Sequence, residues 1–247
     1  MQTGLVSVTF RQLSPAEIVK LVSEAGLDCV EWGGDIHCPP GDPDKARDVR
    51  RLTKDAGLSV VSYGSYYYAG EENNCEVASL IETADALGTD NIRIWAGKKG
   101  SDVAEPEYRA NLVADTVKLA KMAAVKGITI SFEYHCNTLT DCGESTVRLL
   151  SEINMPNVCT YWQVHGNIPF DENIRDIKKL VEMKKLKNLH IFSYNGNDRT
   201  DLTYTAKEWA EYIKAAAPAK PALLMEFVKG NDPAQFIRDA ATLKTLL

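Results

Sequence analysis

Short apolar runs alternate with longer amphipathic stretches from one end of the chain to the other. Eight runs rich in β-branched and aromatic residues recur: LVSVTF, DCVEW, LSVVSYG, NIRIWA, ITISFEY, NVCTYW, NLHIFSY and ALLMEFV. The stretches between them carry apolar residues at three- and four-residue spacing, which turns one face of a helix toward a sheet. EENNCEVASLIETADALG and EPEYRANLVADTVKLAKMAAVKG show that spacing over their whole length. In AGLDCVEW, AGLSVVSYG, LGTDNIRIW and KGITISFEY a Gly stands between helix and strand, where left-handed backbone ends a helix at little steric cost. Helix starts are equally legible. Ser14-Pro15-Ala16-Glu17 supplies an N-cap, a first-turn proline and a carboxylate for free amides, and Asp42-Pro43 and Asp232-Pro233 repeat the Asp-Pro form.

Strands that alternate with helices predict parallel βα units. Eight units in 247 residues, with no Gly-, Ser- or Pro-rich linker, predict a single-domain (βα)8 TIM barrel over residues 1–247. The same units also suit an open doubly wound sheet, but no Gly-x-Gly-x-x-Gly loop follows the first strand.

Composition narrows the partners. A hydrophobic share of 45% is enough to fill a large core. The formal charge of −6 offers no field for a polyanion, which argues against nucleic acid and an anionic membrane and in favour of a small ligand. The opening MQTGLVSVTF lacks a basic segment followed by a long apolar run, and no run reaches bilayer length, so a cytoplasmic location is expected. Cys29, Cys38, Cys75, Cys136, Cys142 and Cys159 contain no C-x-x-C pair, against a disulfide framework or thiolate zinc site. A homo-oligomer is compatible with this barrel class, and no feature selects one.

Chemistry in such a barrel belongs at the carboxyl ends of the strands. The polar residues there are Glu31, Arg93, Glu133 with His135, Gln163 with His165, His190, and Glu226. Strands covered on both faces normally exclude such groups. Glu133, Gln163, His190 and Glu226 fall on four successive strands, so barrel closure can aim them at one point. Two carboxylates, an amide oxygen and an imidazole suit one divalent ion of Mn, Mg, Co or Zn. The competing expectation is that His190 and Glu226 simply pair with Lys or Arg inside the barrel.

Trp32, Tyr66 and Trp95 are candidate pocket walls, with His37, His135 and His165 as candidate contacts to substrate hydroxyls. Arg93, Arg11 and Lys229 are the cations available to an anionic group. No Gly-rich loop opening a helix marks a phosphate cradle, which favours a free sugar, keto-sugar or hydroxy-acid over a sugar phosphate.

The G-x-x-x-x-E from Gly26 to Glu31, the E-x-H of Glu133 and His135, the histidine of NLHIF and the glutamate of LLMEF resemble the xylose isomerase-like TIM barrel family along the whole chain. That family contains sugar isomerases and epimerases, hydroxypyruvate isomerase, inosose dehydratase and endonuclease IV. The resemblance implies a carbohydrate substrate, a divalent metal, and proton transfer beside a carbonyl through an enediolate. It further implies that Glu133 and Glu226 bind the metal and act as acid and base. One position departs: the family usually supplies Asp from the sixth strand, whereas this chain has Gln163 in Trp162-Gln163-Val164-His165. Alternatives are a metal-dependent lyase, a dehydratase or eliminase acting on an oxidised sugar or glycoside, and a non-catalytic sugar-binding barrel. Only four histidines and the negative charge argue against endonuclease IV-like activity.

Overall fold

The computed structural model describes residues 1–247. Eight parallel strands, β1 (Thr3–Val6), β2 (Cys29–Gly33), β3 (Ser59–Tyr68), β4 (Asn91–Trp95), β5 (Thr129–Phe132), β6 (Val158–Trp162), β7 (Leu186–Ile191) and β8 (Ala222–Met225), close into one barrel. Closure runs through β1, where Leu5 pairs with Val30 on one side and Met225 on the other. Helices α1 (Pro15–Glu24), α2 (Pro43–Asp55), α3 (Val77–Leu87), α4 (Pro106–Ala124), α5 (Gly143–Ile153), α6 (Phe170–Glu182), α7 (Ala206–Ala216) and α8 (Pro233–Thr245) follow the strands in turn. The result is the expected (βα)8 TIM barrel.

Local signals act as read from the sequence. Ser14 and Glu17 form a reciprocal capping box on α1, while the Asp42 and Asp232 side chains accept amides at the starts of α2 and α8. Gly26, Gly57, Gly88 and Gly127, between helix and strand, all have positive φ.

The strand period of two separates two cores. Outward residues such as Ile92, Ile94, Ile130, Phe132 and Trp162 join Leu112, Leu119, Leu149, Ile177 and Leu180 of the helices in a continuous buried layer. Each such side chain contributes about 1.5–3 kcal/mol. A smaller cluster of Val6, Val8, Cys29, Tyr161, Ala222 and Leu224 fills the barrel interior. No helix is long and apolar enough to cross a membrane.

Three runs differ from expectation. SVTF of the first run winds into a 3-10 turn over Ser7–Phe10, where the Ser7 hydroxyl accepts the Gly33 amide. The third strand continues past Gly64, with a register shift that pairs Tyr68 with Trp95. After β7, Tyr194–Asn195 folds back on Asp198–Arg199 as a short antiparallel hairpin.

Candidate active site

Strand alternation turns Glu31, Arg93, Glu133, Gln163, His190 and Glu226 inward at the carboxyl end of the barrel, and all six are buried. Glu133 and Glu226 sit one residue beyond their strands, yet their amides still donate to the neighbouring carbonyls of Ile94 and Ile191. His190 Nδ1 lies 3.2 Å from Gln163 Oε1, 3.3 Å from Glu226 Oε2 and 3.8 Å from Glu133 Oε1. One ligand atom each from Glu133, His190 and Glu226 lies within 4.8 Å of the others. Arg93 Nε donates to Glu31 Oε1 at 2.7 Å, and its Nη1 donates to Glu133 Oε2. Arg93 is thus the interior cation that the ion-pair expectation called for, but it joins Glu31 and Glu133 rather than Glu226. The chain leaves β8 through Phe227, whose left-handed backbone (φ 53°) is held by a hydrogen bond from its N–H to Thr9 Oγ1.

Electrostatics follow from crowding three buried carboxylates around one guanidinium. Burial opposes ionisation of Glu31, but Arg93, His190 and Tyr161 outweigh it and bring the carboxyl down to about 2. Burial raises the Glu133 carboxyl; Arg93 opposes this and Glu226 adds to it, leaving it above the usual range. For Glu226 burial is outweighed by His190 and Arg93, and its carboxyl falls. Burial would lower the His190 imidazolium, but Glu226 and Glu31 raise it to about 10. The imidazole therefore carries a proton that offsets part of the surplus negative charge.

A divalent cation beside a neutral imidazole would balance the same charges. The chemistry of the donor set fits one: carboxylate and amide oxygens with an imidazole whose Nδ1 faces Gln163, Glu226 and Glu133. The ligands would be Glu133, Gln163, His190 and Glu226.

A sequence profile described as Xylose isomerase-like TIM barrel matches residues 19–201. The chain belongs to this family. A 3-dehydroshikimate dehydratase from Bacillus anthracis is 26% identical over 220 residues, covering 79% of this chain and 76% of the relative. Among solved structures, a probable 3-DHS dehydratase from Bacillus anthracis superposes with a TM-score of 0.84 at 19% identity, covering 99% of both chains. A 3-keto-D-glucoside 4-epimerase from E. coli gives 0.76 at 18% identity, covering 100% of this chain and 98% of its own. A D-allulose 3-epimerase from Methylomonas sp. gives 0.74 at 19% identity with the same coverage. At these identities the structural likeness shows a shared fold.

In this xylose isomerase-like barrel the remaining candidates divide. Trp95 stacks on Tyr68 at 5.3 Å and against His135 at 4.5 Å, with Lys98 over the Tyr68 ring, forming an aromatic wall beyond Glu133. Tyr66 is partly exposed at the rim, where its hydroxyl accepts from Arg11, itself paired with Asp35. His165 packs on Tyr134 with Nε2 3.3 Å from the Tyr134 carbonyl; burial lowers its pKa, so it stays neutral. Lys229 is exposed in the turn before α8.

Two candidates are corrected. Trp32 follows inward Glu31, so alternation sends it outward, fully buried against α2, with Nε1 donating to Thr53 Oγ1 at 3.1 Å. His37 has both ring nitrogens in use, 3.0 Å from Ser7 Oγ and 3.0 Å from the Leu13 carbonyl, and braces two loops instead of facing a ligand.

A polar layer beneath the cluster escaped sequence reading. Ser62, Asn91, Ser131, Tyr161 and Asn188 hydrogen-bond to one another in the interior. Four of them stand two residues before Arg93, Glu133, Gln163 and His190. That offset of two was the available signal.

Proposed function

We propose that this barrel is a divalent-metal-dependent enzyme that moves a carbon-bound proton beside the carbonyl of a polyhydroxylated keto compound, as an isomerase or epimerase. The observation that carries the reading is the convergence of Glu133, His190 and Glu226 in a buried, negatively charged cluster with Gln163 beside it. A divalent cation held there would supply positive charge to the substrate's carbonyl and neighbouring hydroxyl oxygens, and so acidify the adjacent C–H.

The chain's own residues do the rest. Glu133, with its carboxyl raised by burial and by Glu226, suits a group that takes a proton and returns it. Arg93 fixes one of its oxygens and leaves Oε1 facing the cluster. Glu226 approaches from β8, three strands round the barrel from β5. Two carboxyls on different sides of a substrate permit removal from one face and return to the other, which is epimerisation; return to the adjacent carbon is isomerisation. Trp95, Tyr68 and His135 offer the apolar wall a sugar ring packs on.

A lyase is the second reading, favoured by the 26% identity over most of the chain to a 3-dehydroshikimate dehydratase. The same proton removal would then be followed by loss of hydroxide from the next carbon, protonated by the same carboxyl as it leaves as water. Incubation with Mn2+ in deuterated water, using keto-sugars and 3-dehydroshikimate in parallel and NMR of the products, separates the two. Deuterium at carbon with every oxygen retained supports the isomerase or epimerase, and a new C=C with loss of water supports the lyase. Neither product, in protein that also fails to bind any divalent ion, would leave only a sugar-binding barrel.

A further inference from the structure

We propose that Glu31 is a positioning residue that acts on His190 through the imidazole Nε2–H. This rests on the reading above, in which Nδ1 is a metal ligand. An imidazole offers Nδ1 to a cation only while its remaining proton sits on Nε2. That atom is buried with no hydrogen-bond partner, and Glu31 Oε1 is 3.7 Å away. A shift of less than about 1 Å would complete the bond.

Glu31 is itself held from two sides. Arg93 Nε donates to Oε1 at 2.7 Å, and the Tyr161 hydroxyl donates to Oε2 at 2.7 Å. The Tyr161 oxygen receives Asn91 Nδ2 at 2.9 Å and Asn188 Nδ2 at 2.8 Å. With two amide donors on its lone pairs, the hydroxyl keeps its own proton for an acceptor, and the carboxylate of Glu31 is the strongest one in reach. The Tyr161 ring also stands perpendicular to the imidazole, at 5.0 Å and 86°, limiting its rotation. The polar layer under the cluster thereby fixes which imidazole nitrogen faces Glu133, Gln163 and Glu226. A carboxylate behind a ligating histidine raises ligand basicity and locks the tautomer, and its loss typically weakens metal binding by about 10–100-fold.

The test uses the full chain, stripped with chelator and titrated with Zn2+ by calorimetry, with long-range 15N–1H NMR of labelled histidines before and after loading. Wild type is expected to show the His190 proton on Nε2 in the zinc-bound form. Glu31→Leu, which removes the acceptor, is expected to bind Zn2+ about 10–100-fold more weakly and to lose the single-tautomer signal. Glu31→Gln, which retains an acceptor oxygen, should recover most of the affinity. Should Glu31→Leu not fold, Tyr161→Phe carries the same test, with a smaller loss in the same direction. A folded Glu31→Leu with wild-type affinity and an unchanged Nε2–H signal overturns the positioning role alone. Wild type that binds no Zn2+ overturns the ligand set and this role with it.

Discussion

Glu31 and Glu133 share the guanidinium of Arg93, yet their carboxyls move in opposite directions. Burial opposes ionisation in both and His190 favours it in both; Glu31 adds a Tyr161 hydrogen bond, whereas Glu133 faces Glu226. The Glu31 carboxyl at about 2 lies below its usual 4.5. Its contribution to stability is therefore complete above pH 4.5 and is lost as pH falls from there through 2. In chelator-treated protein, the stability gap between wild type and Glu31→Gln, read from urea melts, should narrow between pH 5 and pH 3. An unchanged gap would contradict the assignment. For the chemistry, Glu133→Gln and Glu226→Gln are each expected to lower kcat by about 10²–10⁴-fold while the circular dichroism spectrum stays native. Glu133, Gln163, His190 and Glu226 were legible because a polar side chain at the end of an apolar strand stands out. Trp32 misled for a related reason, since a place near the end of a strand says nothing of inward or outward until the neighbouring Glu31 fixes the parity.

At the scale of an element, β3 explains how the ion pair fits. Glu31 on β2 and Arg93 on β4 must meet across the strand between them, and they do so over Gly64, which pairs with Gly33 and Arg93 in register. A Cβ at Gly64 would lie 2.8 Å from Arg93 Nη2 and 2.8 Å from Glu31 Oε1. Gly64→Ala should cost about 1–3 kcal/mol by overpacking and should also weaken metal binding, measured by thermal melts and calorimetry on the same preparation. Ser14→Ala, by contrast, removes only a cap on α1. It should cost about 1 kcal/mol and leave metal binding unchanged. Gly64 was readable merely as the last residue of the run LSVVSYG. The extension through Tyr68, which places one ring of the aromatic wall, was not readable at all, because its pairing with Trp95 depends on a register shift between strands.

For the whole molecule, closure of the barrel is what concentrates charge. On an open sheet in chain order the β2 and β8 charges would lie far apart; in the closed order Glu31, Glu133 and Glu226 surround His190. A cation that binds only the closed form must stabilise it by mass action. Zn2+ at a hundred times its Kd should add about 2.7 kcal/mol to the unfolding free energy, and chelator should remove that gain from the melting curve. A melting temperature indifferent to both would count against a resident ion.

The amino-acid sequence by itself determined the number and order of the βα units, the starts and stops of helices at Ser14, Asp42 and Asp232, and the polar residues at the strand ends. These depend on local periodicity, caps and glycines, which act within a few residues. Only the tertiary structure decided that Arg93 spans Glu31 and Glu133, that His37 braces loops, and that Tyr161 stands beneath Glu31. Those relations join residues 24 to 130 positions apart, and they exist only once strand parity, register and closure bring them together.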